Sequence, residues 1–233
     1  MVRSHEAEEK TRFVDRLGRA IHYSRFYLLT LLGVFVVAVV AYFVFSEVNE
    51  NAREKATVLA EEAEQRYEMW QSTEDEAGRQ EIEESLLEDL AFIIDEYPRQ
   101  YAAQRAYFIS GNLYYEKELW EEASSRLLEI PGRFPKSYLA EEALFISAIC
   151  HEELGEPDEA LTLYRRLTED YPQSPRMPHA LFSQGRILES RGDAEEAIQI
   201  YNTLRLDYSF SNWTKLAVSR IIQLESEEQE SEE

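Results

Sequence analysis

Four short stretches decide the fold: Tyr97-Pro98-Arg99-Gln100, Phe134-Pro135-Lys136-Ser137, Tyr171-Pro172-Gln173-Ser174 and Tyr208-Ser209-Phe210-Ser211. Each begins 37 residues after the last. An aromatic-Pro-x-Ser stop at one fixed interval means that one supersecondary unit is copied along the chain. A unit of this length cannot bury its own apolar face, so the copies must stack into a solenoid.

Working outward from those stops, other positions keep the register. Ala106, Ala143, Ala180 and Ala217 are in step, as are Gly111, Ala148 and Gly185, then Ala123, Ala160 and Ala197, then Leu127, Tyr164 and Tyr201. Within a unit the apolar residues run at helical spacing, first through Tyr107, Gly111 and Tyr114 and then through Ala123, Leu127 and Ile130. Each unit therefore reads as two helices, A and B. Gly155 and Gly192 break the middle of their units, as a tight turn between the helices requires. The small residues let A and B approach closely. Proline after the aromatic residue ends helix B, because it cannot continue the hydrogen-bond ladder. The fold expected is all-α, a solenoid of helix-turn-helix repeats.

The pattern resembles the tetratricopeptide repeat (TPR). Gly111, Tyr114, Ala123, Leu127 and Pro135 carry the resemblance in one copy, and Ala148, His151, Ala160, Tyr164 and Pro172 in the next. A third copy has Gly185, Leu188, Ala197 and Tyr201 but Ser209 in place of proline. The usual period of about 34 is lengthened by three residues in the connection from B to A. Long connections with a Tyr-Pro-x-Ser signature look like the bacterial envelope subgroup that includes the assembly lipoprotein BamD and Tol-associated periplasmic proteins. The resemblance covers residues 81–222.

The array has degenerate ends. Leu86, Leu90, Ile93, Tyr97 and Pro98 fit a helix B, whose helix A is displaced behind the polar stretch 72–78 into residues 46–80 and carries Val58, Ala63, Tyr67 and Trp70. Downstream, Trp213 opens a lone helix A that ends near Leu224. Residues 223–233 are almost all Glu and Ser and are expected to be a disordered, solvated tail.

A second feature bears on location. Residues 26–45 hold no charge, and 14 of these 20 are Leu, Val or Phe. At about 1.5 Å per residue the run spans roughly 30 Å, the hydrocarbon thickness of a bilayer. It is too long for a signal-peptide core and lacks a pair of small residues at cleavage spacing. The only cysteine, Cys150, lies far downstream, so no lipobox follows. The segment is expected to be one retained transmembrane helix. Residues 6–25 contain five Lys or Arg and residues 46–65 contain two. The positive-inside rule then makes 1–25 a cytoplasmic tail and places the repeats outside the cytoplasm.

Charge narrows the partners. Residues 26–233 carry 18 Lys or Arg against 42 Asp or Glu, a net −24. Nucleic acid is excluded, because its affinity comes from counterion release by basic groups. Cofactors, metals and small-molecule substrates have no visible site. His151-Glu152-Glu153 lacks the second histidine of a zinc helix, and no phosphate loop, nucleophile elbow or CxxC occurs. His151 occupies an aromatic packing position and Cys150 lies among apolar neighbours, so both are expected in the core. Glu pairs at helix starts (121–122, 141–142, 195–196) suit the positive end of the helix dipole. The chain is not expected to be an enzyme.

What remains is recognition of proteins. The resemblance implies that helix A lines an inner groove, with one row per repeat: Arg105, Phe108, Asn112 and Tyr115; Glu142, Phe145, Ile149 and Glu152; His179, Phe182, Arg186 and Glu189. Phe108, Phe145 and Phe182 recur at 37 residues and either form an apolar ladder along the groove or pack between neighbouring A helices. A clamp for acidic peptide tails is not expected, since Glu142 and Glu152 oppose it. The layout of tail, span and repeats resembles the bacterial YfgM family, associated with the Sec translocon and periplasmic chaperones. It implies a membrane-anchored adaptor or scaffold on the periplasmic side of the inner membrane, assisting secretion or envelope assembly. A structural subunit of a large envelope machine, such as a flagellar-motor collar or division complex, fits the same layout.

Overall fold

The computed structural model describes the backbone of residues 2–232 and the side chains of residue 27, residues 29–227 and residues 229–230. All described elements are helices: α1 (Val2–Ser72), α2 (Glu76–Glu96), α3 (Tyr101–Glu116), α4 (Trp120–Arg133), α5 (Ala140–Glu153), α6 (Pro157–Asp170), α7 (Met177–Ser190), α8 (Ala194–Asp207) and α9 (Asn212–Glu232). The chain divides into two compact units, Met1–Glu54 and Lys55–Glu233.

In the first unit, α1 is long and apolar enough to cross a membrane. Most of its described apolar side chains in this unit stay exposed, among them Leu31 at 71%, Phe35 at 62% and Phe45 at 71%. The stretch 1–25, read as a cytoplasmic tail, lies outside the residues whose side chains are described.

In the second unit α3–α4, α5–α6 and α7–α8 are successive A–B pairs, and α9 is an unpaired A helix. The 37-residue register works through close approach. A Cβ placed on Gly111 would lie 2.5 Å from Leu127 Cγ, and one on Gly185 would lie 2.3 Å from Tyr201 Cε1. Leu127, Tyr164 and Tyr201 are fully buried against the small residues of their A helices. Full burial of such a side chain contributes about 1.5–3 kcal/mol.

The A-to-B turn needs one residue with positive φ. Gly155 (φ 75°) and Gly192 (φ 84°) supply it, whereas the first pair places Glu118 there at φ 59°. The B-to-A turn rests on the aromatic residue and the serine. The amides of Phe134, Tyr171 and Tyr208 donate to the carbonyls of Ile130, Leu167 and Leu204 at 2.7, 3.0 and 3.0 Å, closing the helix. Ser137, Ser174 and Ser211 each return an N–H to that aromatic carbonyl at 2.9 Å. Their Oγ atoms then accept from the amides of Leu139, Arg176 and Trp213 at 3.1–3.2 Å. Ser209 can therefore replace proline without changing the turn.

Four expectations differ from the structure. The displaced helix A is the end of α1, with Ala56, Ala60, Ala63 and Trp70 buried against Leu86, Leu90 and Ile93 of α2. The polar stretch before α2 shrinks to residues 73–75, because Asp75 caps α2 by accepting from the Gly78 amide at 2.7 Å. The 223–233 segment is not a coil: α9 runs to Glu232, seeded by buried Leu224 and continued by Glu and Gln, which are good helix formers. His151 is only half-buried. Its Nε2 lies 3.1 Å from Ser124 Oγ and its Nδ1 2.7 Å from Glu156 Oε2, so it ties α4 to the α5–α6 turn as a polar residue. Cys150 is fully buried, as expected, and burial pushes its thiol up to about 12.

Candidate functional site

The A helices place the anticipated rows side by side, but with different chemistry at each end. In α3, Arg105 forms an ion pair with Glu64 of α1. Phe108 and Asn112 are half-buried, and Tyr115 sets its ring edge-on to Trp120 with centroids 5.1 Å apart. In α5, Phe145 is only 4% exposed. Tyr164 and His179 cover it with centroids 5.9 and 4.7 Å away, and the Arg176 guanidinium lies 4.9 Å over its ring. Phe145 is therefore a packed residue, and the three phenylalanines do not form a uniform exposed ladder. Ile149 packs against the same core.

Beyond Phe145 the aromatic residues run on into α9. His179 stacks on Trp213 at 3.8 Å with planes 12° apart, and Phe182 contacts Trp213 at 5.3 Å and Tyr201 at 5.8 Å. Burial, helped by neighbouring Arg176, holds the His179 imidazole below its ordinary range, which keeps it neutral near pH 7.

The acidic groove positions are occupied internally. Tyr164 Oη donates to Glu152 at 2.7 Å, and Glu152 also pairs with Arg186 of the next A helix. One repeat on, Tyr201 Oη donates to Glu189 at 3.1 Å, and Glu189 pairs with Arg220 of α9. Burial and the Glu152 carboxylate raise the Tyr164 phenol well above its usual range. Burial pushes Tyr201 up to about 12. Both hydroxyls therefore remain donors throughout the physiological range. Near the start of α5, Glu142 takes a two-pronged pair from Arg176, both contacts at 2.6 Å.

Arg176, Trp213 and Arg220 were not among the anticipated site residues. For Trp213 a signal existed: it lies 37 residues after Arg176, at the same position of the next A helix. Arg220 had none, because it reaches Glu189 from one turn before the register partner of Arg186, Gln223. Between α7, α8 and α9 the structure leaves a cavity of about 410 Å³ lined by Phe182, Arg186, Glu189, Ser190, Tyr201 and Arg220.

With this geometry in place, comparison with known proteins identifies the repeats. The tetratricopeptide repeat family matches residues 110–175 and, overlapping them, 148–207. Together the two matches span residues 110–207, from within α3 to the end of α8. No curated protein matches the chain. Among solved structures, MamA AMB-1 is similar at 16% identity and a TM-score of 0.46, over 71% of this chain and 94% of its own. YrrB, described as a TPR protein with an unusual peptide-binding site, is similar at 18% identity and a TM-score of 0.41, over 60% of this chain and 77% of its own. At these identities and TM-scores the likeness carries no functional argument.

Proposed function

We propose that the protein is a non-enzymatic adaptor anchored in the bacterial inner membrane by residues 26–45, with its N-terminus cytoplasmic and its repeats in the periplasm. There it holds secreted or envelope proteins near the membrane. The observation that carries this reading is one chain joining an uncharged run of bilayer length, with its described side chains exposed, to an array of protein-binding repeats. The excess of Lys and Arg before the run supports the orientation. The YfgM-like layout supports a place beside the translocon and its chaperones. The binding face is that of the A helices, with Arg105, Phe108, Asn112, Tyr115, Phe145, Ile149, His179, Phe182 and Arg186 along it; the packed members shape the face and the exposed ones touch the partner.

Two measurements test this. The full-length protein should resist carbonate extraction, and its repeats should be protected from protease in inverted inner-membrane vesicles. Digestion there would overturn the orientation. In-membrane photocrosslinking from Asn112 and Arg186 should capture translocon, chaperone or secreted proteins. Capture of motor or division-ring subunits instead would make the chain a fixed part of such a machine.

A further inference from the structure

The cavity between α7, α8 and α9 exists because one covering residue changes. Along the A-helix face, Phe145 is roofed by His179 of the next A helix, and Arg176 lies over its ring. One repeat later, the register partner of His179 is Leu216, which is 49% exposed. Trp213 stands at the register position of Arg176 and meets Phe182 at a tilt, with centroids 5.3 Å apart. Phe182 stays half-buried, and the space it lines with Arg186, Glu189 and Arg220 is about 410 Å³. That volume is within the range of sites that engulf a ligand group.

The chemistry of the walls restricts what enters. Its floor is the half-buried Phe182 ring, with fully buried Tyr201 packed against it at 5.8 Å. The rim carries two guanidiniums, each already paired, Arg186 with Glu152 and Arg220 with Glu189. A rim neutralised from within has no net charge to give an acidic or a basic anchor. Flat guanidinium faces and aromatic faces both favour a third ring, by offset stacking and cation–π contact. The chain as a whole is strongly acidic, a net −24 over residues 26–233. That field draws in basic segments and repels acidic ones.

We propose that this cavity is the anchor pocket for a single aromatic side chain of a partner protein segment that carries Lys or Arg on either side of it. The proposal rests on the A helices being the partner-binding face and narrows that face to its C-terminal end.

The test uses the full-length protein in zwitterionic lipid nanodiscs. Its probe is the blocked peptide Lys-Gly-Bpa-Gly-Lys, where Bpa is the photoreactive aromatic residue benzoylphenylalanine. Irradiation should attach the probe to α7 and α9 at the lining residues, as read by mass spectrometry. Competitor peptides with Tyr in place of Bpa should displace it at least about tenfold better than those with Leu or Glu at that position. Exchanging the flanking Lys for Glu should lower labelling by a similar factor, and added salt should narrow that difference. Ser190→Trp fills the mouth from an exposed helix end and should abolish labelling with an unchanged Tm. Arg186→Gln should reduce the preference for Tyr over Leu while leaving the fold intact. Labelling spread over other helices, equal displacement by Leu and Tyr peptides, or full labelling of a folded Ser190→Trp variant would each overturn the pocket. If labelling fails while crosslinking from Asn112 still captures envelope proteins, the pocket falls and the adaptor reading stands. If the pocket labels as described but no envelope protein is ever captured, the reverse holds.

Discussion

The α3–α4 pair and the two pairs that follow share one register but solve the same position differently. Where α5 carries Glu152, α6 carries Tyr164 and α7 carries Arg186, the equivalent residues one unit earlier are Tyr115, Leu127 and Ile149. The earlier set is uncharged and needs no ion-pair partner. In the later set, a buried phenol donates to a carboxylate that also holds the guanidinium of the next repeat. The difference shows that a charged groove position is not by itself a binding residue. Glu152 and Glu189 face the groove, yet each is committed to a tyrosine beneath it and an arginine beside it.

The largest effect that would break this comparison is at the phenylalanines. Phe145→Ala should cost about 3–5 kcal/mol, the usual loss for a core aromatic. Phe108→Ala, half-buried at the same register position, should cost less than about 2 kcal/mol. Urea melts followed by circular dichroism give both, and equal losses would restore the uniform ladder. Next, Gly185→Leu and Gly111→Leu should each destabilise by about 1–3 kcal/mol through overpacking. Gly185→Leu should be the worse, because a tyrosine ring cannot fold away as a leucine can. Silence at both would refute the close A–B contact.

Sharper still is a transplant of chemistry. Glu152→Leu leaves the buried Tyr164 hydroxyl without its acceptor and should cost about 1–3 kcal/mol. Combining Glu152→Tyr, Tyr164→Leu and Arg186→Ile installs the uncharged set of the first pair. It should cost less than Glu152→Leu alone, since removing all partners together leaves nothing unsatisfied. A triple variant weaker than the single one would mean that the ionic chain, not its satisfaction, holds the repeats. Smaller is the turn. Glu118→Gly should stabilise by about 0.5–1 kcal/mol, because Glu118 occupies a left-handed conformation that glycine adopts freely. A lower Tm for this variant would show that Glu118 makes a compensating contact.

The last effect depends on pH. Burial depresses the His179 pKa, so between its folded value and the unfolded value near 6.5 the unfolded chain binds the proton more readily. Stability from the His179–Trp213 stack should be full above pH about 6.5 and decline as pH falls below it. The carboxylates paired with arginines are common to both proteins compared. Thermal melts of the natural protein and His179→Phe from pH 7.5 to 5 should differ by this step alone; parallel curves would remove it.

How much was legible follows from the range of each interaction. Spacing of 37 marks positions, and the small-against-large contacts at Gly111 and Leu127, or Gly185 and Tyr201, recur with the spacing because each lies within one unit. The A–B turns at Gly155 and Gly192 were equally local. The sequence by itself thus determined the helical repeats, their pairing, the uncharged run at 26–45 and the acidic character of everything after it. Tertiary structure decided which groove residues are free. That choice depends on side chains 31–34 residues apart, such as Arg220 reaching Glu189, His179 roofing Phe145 and Trp213 tilted against Phe182. Long side chains reach from one turn or the next, and a one-turn difference leaves no periodic trace. It decides whether a charge is spent inside the fold, and whether a ring such as Phe182 is covered or left open.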